Sequence, residues 1–338
     1  MSPSPTSAPG AIDVHAHVAL PGSIGRAGSI GPTVGTTEAG EPWFQLGTYR
    51  LDGVRYAGTV FEDVGLRLAA MDRMGIARQI LSPNPILLLA NTDTAVAAEY
   101  ASWHNAELAG LVATAPDRLC ALAQVPVQDP ALAVRELRRA VTELQHVGLA
   151  LGTESPFDLD DPAMDPLWAE AESLRVPVFL HPAPHGTDTP SPDKRLARFG
   201  LDLSLGFLLE ETLAVAQLVL GGVLDRHPGL EVCISHGGGA TAWLAPRLRR
   251  AAARQPGPPV DLDAGLARLW WDTHVGGGAP LELLVSTFGT ERLLLGTNMA
   301  GWDSPSALLD EVPADLLPIL TTNAARLLGS GLQVTRLS

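Results

Sequence analysis

Four of the nine histidines in this 338-residue chain stand where they could share one piece of chemistry. Residues 11–18, AIDVHAHV, read as a short apolar strand whose end carries His15 and His17. Side chains alternate along a strand, so residues two apart project to the same side. Two imidazoles presented together are a common start of a divalent metal site; the competing reading is a pair of solvated histidines near the N-terminus. His181 closes a second apolar run, 176–180, just before Pro182. It supplies a third neutral nitrogen, and three protein ligands with one open position are the pattern of a catalytic zinc site. His236 begins a His-Gly-Gly-Gly run. Glycines leave bare backbone and room for a ligand beside the imidazole, whose titration range suits proton transfer near neutral pH. A glycine-rich turn that opens a helix is the plainer reading of the same residues. Asn298 ends the segment Gly296-Thr297-Asn298, after the last strand-like run.

Such residues need a frame that brings them together. From residue 60 onward the hydrophobic pattern alternates between strand and helix. Helices are predicted over 62–75, 94–115, 130–145, 166–174, 207–225, 240–253 and 280–288. Gly75 serves as a stop, Asp93 as an N-cap, and Asp129-Pro130 as a helix start. Strands are predicted at 11–18, 79–82, 119–127, 147–152, 176–180, 230–235, 269–273 and 292–295, and closing helices over 308–328. Eight strands, each followed by a helix, predict an α/β chain folded as a (β/α)8 TIM barrel. Residues 1–10, rich in Pro and Ser, are expected to be disordered, leaving 11–338 as a single metal-dependent barrel domain. Residues 19–60 are too long for an ordinary connection and read as an insertion after strand one that covers a site. In such barrels chemistry sits at the C-terminal ends of the strands. His15, His17, His181, His236 and Asn298 all fall there, at strands one, five, six and eight.

The bulk properties narrow the function classes. A net charge of −14 makes nucleic acid and anionic membrane surfaces poor partners. An anionic substrate would then need a local exception, a few arginines or a metal. The two cysteines, Cys120 and Cys233, lie in apolar runs and suggest no disulfide framework. The first ten residues lack the basic start and apolar core of a signal peptide, and the best apolar run, 213–224, is short for a membrane span. A soluble cytoplasmic protein is the expectation. His104, His146 and His227 read as structural, and the Trp270-Trp271 pair as core. His185 lies in the loop after strand five, where it could line a pocket.

The segments IDVHAHV, VFLHPAP, GGVLDRHPGLEVCISHGGGA and LLLGTN, in this order, resemble the amidohydrolase superfamily. More narrowly, they are similar to its aminocarboxymuconate-semialdehyde decarboxylase-like branch, over about 11 to 330. The resemblance implies one divalent metal, zinc with manganese as the alternative, held by His15, His17, His181 and position 298. It gives His236 an acid/base or substrate-polarising role. It assigns the substrate carboxylate to Arg55, in the insertion, and to Arg247, which would enter a neighbouring subunit's site in a homodimer. Read from the residues alone, both arginines are ordinary surface positions. The resemblance also marks Glu210 as a group that could orient a ligand histidine, or serve as a structural ion-pair partner. The departure is Asn298, where the branch carries aspartate: asparagine offers a neutral carbonyl oxygen and exchanges no proton at ordinary pH. Asp303, five residues on, could reach inward instead. The expected activity is decarboxylation (a carbon–carbon lyase) of a small unsaturated or aromatic carboxylic acid. The alternatives are a hydrolase or hydratase using metal-bound water, or a catalytically impaired ligand-binding barrel.

Overall fold

The computed structural model describes residues 10–183, 193–256, 259–305, 307 and 311–329. The expected disordered segment at 1–9, His185 and the start of the expected closing helices at 308–310 lie outside them. In chain order the elements are strand β1 (Ala11–Val18), then β2 (Thr33–Thr36), β3 (Pro42–Leu46) and β4 (Tyr49–Asp52). Next come α1 (Val64–Met74), β5 (Ile76–Pro83), α2 (Thr94–Val112), β6 (Leu119–Ala123), α3 (Pro130–Thr142) and β7 (Gly148–Gly152). They are followed by α4 (Asp165–Leu174), β8 (Val178–His181), α5 (Phe207–Leu220), α6 (Val223–Arg226), β9 (Val232–Ile234) and α7 (Thr241–Ala252). The chain continues through α8 (Leu262–Leu266), β10 (Trp270–Asp272), α9 (Gly278–Phe288), β11 (Leu293–Leu294) and α10 (Leu317–Leu328).

Eight strands form one sheet in the order β1-β5-β6-β7-β8-β9-β10-β11. Every pairing in it is parallel, with registers such as His17↔Ser82 and Leu180↔Ile234. Parallel bridges Asp13↔Leu295 and Ala16↔Met299 then join the last strand back to the first and close the barrel. Strands buried on both faces carry continuous apolar runs, and β6 (LCALA) and β7 (GLALG) are buried throughout. Inside the barrel Val14, Ile80, Leu122, Phe179, Trp270 and Leu294 pack together. Outside it the helices bury Trp168, Leu137, Val215, Leu218 and Trp271 against the strands.

The helix starts follow side-chain chemistry. Asp63, Asp93 and Asp129 each accept first-turn N–H groups, a cap worth about 1 kcal/mol. Gly75 ends α1 in the left-handed region, at φ 71°. The helix expected over 207–225 is broken at Gly222 (φ 73°) into α5 and α6. A π turn over Asp202–Gly206 continues α5 backwards, so 202–220 is long and apolar enough to cross a membrane, longer than the sequence suggested. That helix instead turns Phe207, Glu211, Ala214, Val215 and Leu218 into the barrel, leaving Leu205, Leu209 and Leu213 exposed on its outer face.

Within 19–60, β2, β3 and β4 form a separate antiparallel sheet with Phe44 opposite Leu51. Along β4, Tyr49 and Leu51 turn inward while Arg50 and Asp52 face solvent, as strand alternation requires. Phe44, Leu46 and Tyr56 pack on Ile86, Leu87 and Tyr100 of the barrel side, and the Tyr49 hydroxyl donates to Asp202 Oδ2 at 3.0 Å.

His104 on α2 and His146 before β7 are buried away from the strand ends. Burial, with His146 beside it, pushes His104 down to about 3, and burial pushes His146 down to about 4. Both are neutral when folded and protonate more readily when unfolded. Their contribution to stability is therefore complete above pH 6.5 and lost as pH falls through 4 toward 3. Denaturant-midpoint measurements between pH 7 and pH 4 should show this loss, and His104→Leu should flatten the slope; an unchanged slope would refute the assignment.

Candidate active site

The site begins with the tautomers that its buried partners impose. His15 Nδ1 lies 2.5 Å from Asp272 Oδ2, an acceptor at the end of β10. His181 Nδ1 lies 2.6 Å from the carbonyl oxygen of Pro182. His17 Nδ1 lies 2.9 Å from Ser82 Oγ, whose hydroxyl donates to the Ala16 carbonyl. Each Nδ1 is therefore the protonated nitrogen, and each Nε2 carries a lone pair. The Nε2 atoms of His15 and His17 face each other at 3.2 Å, and His181 Nε2 is buried with no hydrogen-bond partner. The three ring centroids lie 4.8–5.0 Å apart. Burial first, then the neighbouring imidazoles, hold all three well below the usual histidine range. Neutral imidazoles with lone pairs crowded into one dry space repel unless a cation lies between them, so this donor set fits a divalent metal ion.

His236 differs in charge. It follows β9 with its backbone in the left-handed region, at φ 45°, a conformation that non-glycine residues hold mainly at functional sites. Its Nδ1 meets Glu211 Oε1 at 2.7 Å. Burial works against the imidazolium, yet the Glu211 carboxylate, with Asp272 beyond it, more than offsets this and raises His236 above the usual range. Its ring lies 5.1 Å from His15 and 5.0 Å from His181, and its donor nitrogen falls within 4.8 Å of theirs. Its hydrogen bond to Glu211 and its raised pKa set His236 apart from the three neutral imidazoles, which are the better metal donors, and suit it to proton transfer.

The group that orients a histidine is Glu211, which is fully buried and also accepts from the Ser235 hydroxyl; Glu210, half-buried, is not at this position. Helical phase carries the signal, since Phe207, Glu211, Ala214, Val215 and Leu218 share one face while Glu210 falls beside it. The glycines after His236 also do something other than leave room for a ligand. A Cβ at Gly238 would lie 2.4 Å from the Trp271 ring, and one at Gly239 would lie 2.2 Å from the Leu208 carbonyl oxygen. Their space is filled by close packing of the backbone against its neighbours.

Asp272 holds the site from behind; the sequence places it at the end of strand seven but marks no role for it. It also accepts the backbone N–H of Gly237 at 3.3 Å and of His274 at 3.1 Å. Asp13 performs the matching task at the barrel seam. It accepts the His15 N–H, the Thr297 N–H and hydroxyl, and the Gln79 amide, at 2.7–3.1 Å. Gln79 in turn accepts from the buried guanidinium of Arg67, which also donates to the His17 carbonyl.

After β11 the chain runs through left-handed Asn298 and Ala300, at φ 47° and 66°. Asn298 is buried and shares a cavity of about 320 Å³ with His17 and His181. Tyr49, Tyr56, Phe61, Phe207 and Trp302 form much of its wall, and Arg55 stands at its edge, exposed to solvent. Asp303 meets Asn298 rather than His15, His17 or His181, through Asn298 Nδ2 to Asp303 Oδ1 at 2.6 Å. His274 lies between Asp303 and Glu311, at 3.1 Å from each. Burial opposes its charge, but these two hydrogen-bonded carboxylates raise it to about 10. Arg247 lies on the exposed side of α7, one turn beyond the exposed Trp243, and lines neither this cavity nor the one on the other side of His236.

A family model described as amidohydrolase matches residues 12–330. The chain belongs to the amidohydrolase family. Among its relatives, the 2-amino-3-carboxymuconate-6-semialdehyde decarboxylase of Dictyostelium discoideum is 29% identical over 75% of this chain and 70% of that protein. The gamma-resorcylate decarboxylase of Rhodococcus jostii (strain RHA1) is 29% identical over 94% of this chain and 98% of that protein. A crystal structure of 2,6-dihydroxybenzoate decarboxylase complexed with 2,6-dihydroxybenzoate has a TM-score of 0.68 and 29% identity. It covers 79% of this chain and 89% of its own.

If Asp272 fixes the His15 tautomer, Asp272→Asn should lower divalent-metal affinity about 10- to 100-fold while the fold persists. Chelator competition alongside circular dichroism measures both; unchanged affinity would show that Asp272 does not support a ligand.

Proposed function

We propose that this amidohydrolase is a metal-dependent decarboxylase, a carbon–carbon lyase acting on a small aromatic or unsaturated carboxylic acid. The observation that carries this reading is geometric: His15 Nε2 and His17 Nε2 face each other, His181 Nε2 is buried beside them with no partner, and His236, held by Glu211, lies against the same cluster. The decarboxylase relatives support the reaction class.

His15, His17 and His181 would hold the metal, with the Asn298 carbonyl as an oxygen ligand. Bound there, a divalent ion supplies Lewis acidity that draws electron density from substrate oxygens. Zinc suits an imidazole-rich donor set better than manganese, which favours oxygen. The aromatic walls match a flat, conjugated acid, and Arg55 offers the cavity edge a cation for a carboxylate. The bond to the carboxyl carbon breaks, its electron pair stays on the ring or chain carbon, and carbon dioxide leaves. His236 delivers the proton that carbon then takes, and Glu211 holds the imidazolium in place for it. Hydrolysis is the less suited alternative, because residue 298 contributes no carboxylate to act as a base for water.

We further propose that the protein is a homodimer in which Arg247 reaches the partner's site. The exposed Trp243 one turn before it and the exposed Leu205, Leu209 and Leu213 on neighbouring α5 support this. Light scattering should give twice the chain mass, and Arg247→Ala should raise KM more than it disturbs assembly; a monomer at micromolar concentration would refute it.

The main test strips and restores metal while carbon dioxide release is followed on a panel of hydroxybenzoates and dienoic acids. Activity should track bound metal, and His236→Asn should lower kcat about 100-fold or more with metal content unchanged. Full metal occupancy without carbon dioxide release, together with incorporation of labelled water oxygen into a product, would replace the lyase reading with the hydrolase one.

A further inference from the structure

Asn298 has one polar atom with a partner and one without. Its Nδ2 donates to Asp303 Oδ1 at 2.6 Å, whereas its Oδ1 is buried and has no hydrogen-bond partner. The residue is only 2% exposed, and a buried polar atom of this kind is normally paired. A carboxylate can only accept in this contact, so the partner dictates which end of the amide faces it. The loop holds the amide from a second side. A Cβ at Gly301 would lie 2.1 Å from Asn298 Oδ1 and 2.4 Å from Nδ2, so the bare Gly301 backbone lies against the carboxamide. Gly301 N–H also donates to the Asn298 carbonyl at 2.7 Å, which closes the turn. Asp303 is held in its turn, because its Oδ1 also meets His274 Nε2 at 3.1 Å, and His274 Nδ1 meets Glu311 at 3.1 Å.

We propose that Asp303 is a positioning residue: it turns the Asn298 carboxamide so that the carbonyl oxygen, and not the NH2 group, is presented to the metal held by His15, His17 and His181. This rests on the metal-dependent reading above. The physical need is specific to an amide. A carboxamide has one end that attracts a cation and one that repels it, so a rotation of half a turn converts a ligand into an obstacle. A carboxylate has two equivalent oxygens and presents one in either orientation. An asparagine at this position therefore needs an external acceptor to select its rotamer, and an aspartate would not.

The test is a double-mutant cycle read as zinc affinity of the metal-stripped full chain, by competition with a chromophoric chelator. With Asn298 present, Asp303→Ala should weaken zinc binding about tenfold or more. Asp303→Asn, whose carbonyl can still accept from Nδ2, should keep most of the affinity. In an Asn298→Asp background, Asp303→Ala should cost nothing, and removal of a neighbouring like charge should make it neutral to favourable. Equal losses in both backgrounds would mean that Asp303 only supports the loop, and would overturn the proposal. So would undiminished zinc binding by Asp303→Ala in the Asn298 background, with the wild type loaded. Should alanine disturb the loop, Asp303→Leu keeps the bulk without an acceptor and gives the same comparison. A wild type that binds no divalent metal would overturn the metal-dependent reading itself, and with it this inference, which distinguishes the two failures.

Discussion

One buried carboxylate holds the seam of this barrel. A parallel sheet closed into a ring must join its last strand to its first, and here β11 is only two residues long. Asp13 compensates by binding both sides, through the His15 N–H on β1 and the Thr297 N–H and hydroxyl beyond β11. Burial pushes Asp13 up to about 6, against the pull of these hydrogen bonds. Gln79 and Arg67 extend the network to β5 and α1, so the strand ends on either side of the seam share one set of polar contacts. His15, His17 and Asn298 take their places from those strand ends, while His181 and His236 reach the same space from β8 and β9. Half of the site is thus a consequence of how the ring is closed.

The chemistry arises from what each imidazole has behind it. His15 is backed by a carboxylate and His181 by a carbonyl, His17 by a hydroxyl; these fix tautomers, while burial and mutual repulsion keep the rings neutral. His236 is backed by the Glu211 carboxylate, which outweighs burial and raises its pKa. His236 lies about 5 Å from His15 and His181, yet its pKa is shifted up while theirs are shifted down. The difference comes from their partners and not from the rings.

Much of the barrel was legible in the sequence because parallel strands and amphipathic helices each leave a period. All eight barrel strands and the helices after them could be read from that pattern, as could the strand ends where His15, His17, His181, His236 and Asn298 lie. What depends on three-dimensional neighbours was not legible. β6 stops at Ala123 rather than 127, and β8 begins at Val178 rather than 176, because pairing, not hydrophobicity, sets where a strand starts and stops. The glycines after His236 answer to Trp271 and Leu208, which are distant or separate in sequence. Glu211 and Glu210 differ by one position and by their place on the helical face; a family resemblance pointed to the neighbour. Asp303 lies five residues from Asn298, but only the loop's left-handed turns bring them together.

The cover over the cavity is built differently from everything beneath it. Among the described residues, strands β2, β3 and β4 pair as a sheet with one another and not with the barrel strands, and they meet the barrel through apolar packing and the Tyr49–Asp202 hydrogen bond. The imidazoles of His15, His17 and His181, by contrast, are held by the barrel strands themselves. The two parts can therefore evolve at different rates. Substitutions in the cover can reshape the wall of the cavity without unseating an imidazole, so one reaction centre can be paired with differently shaped walls.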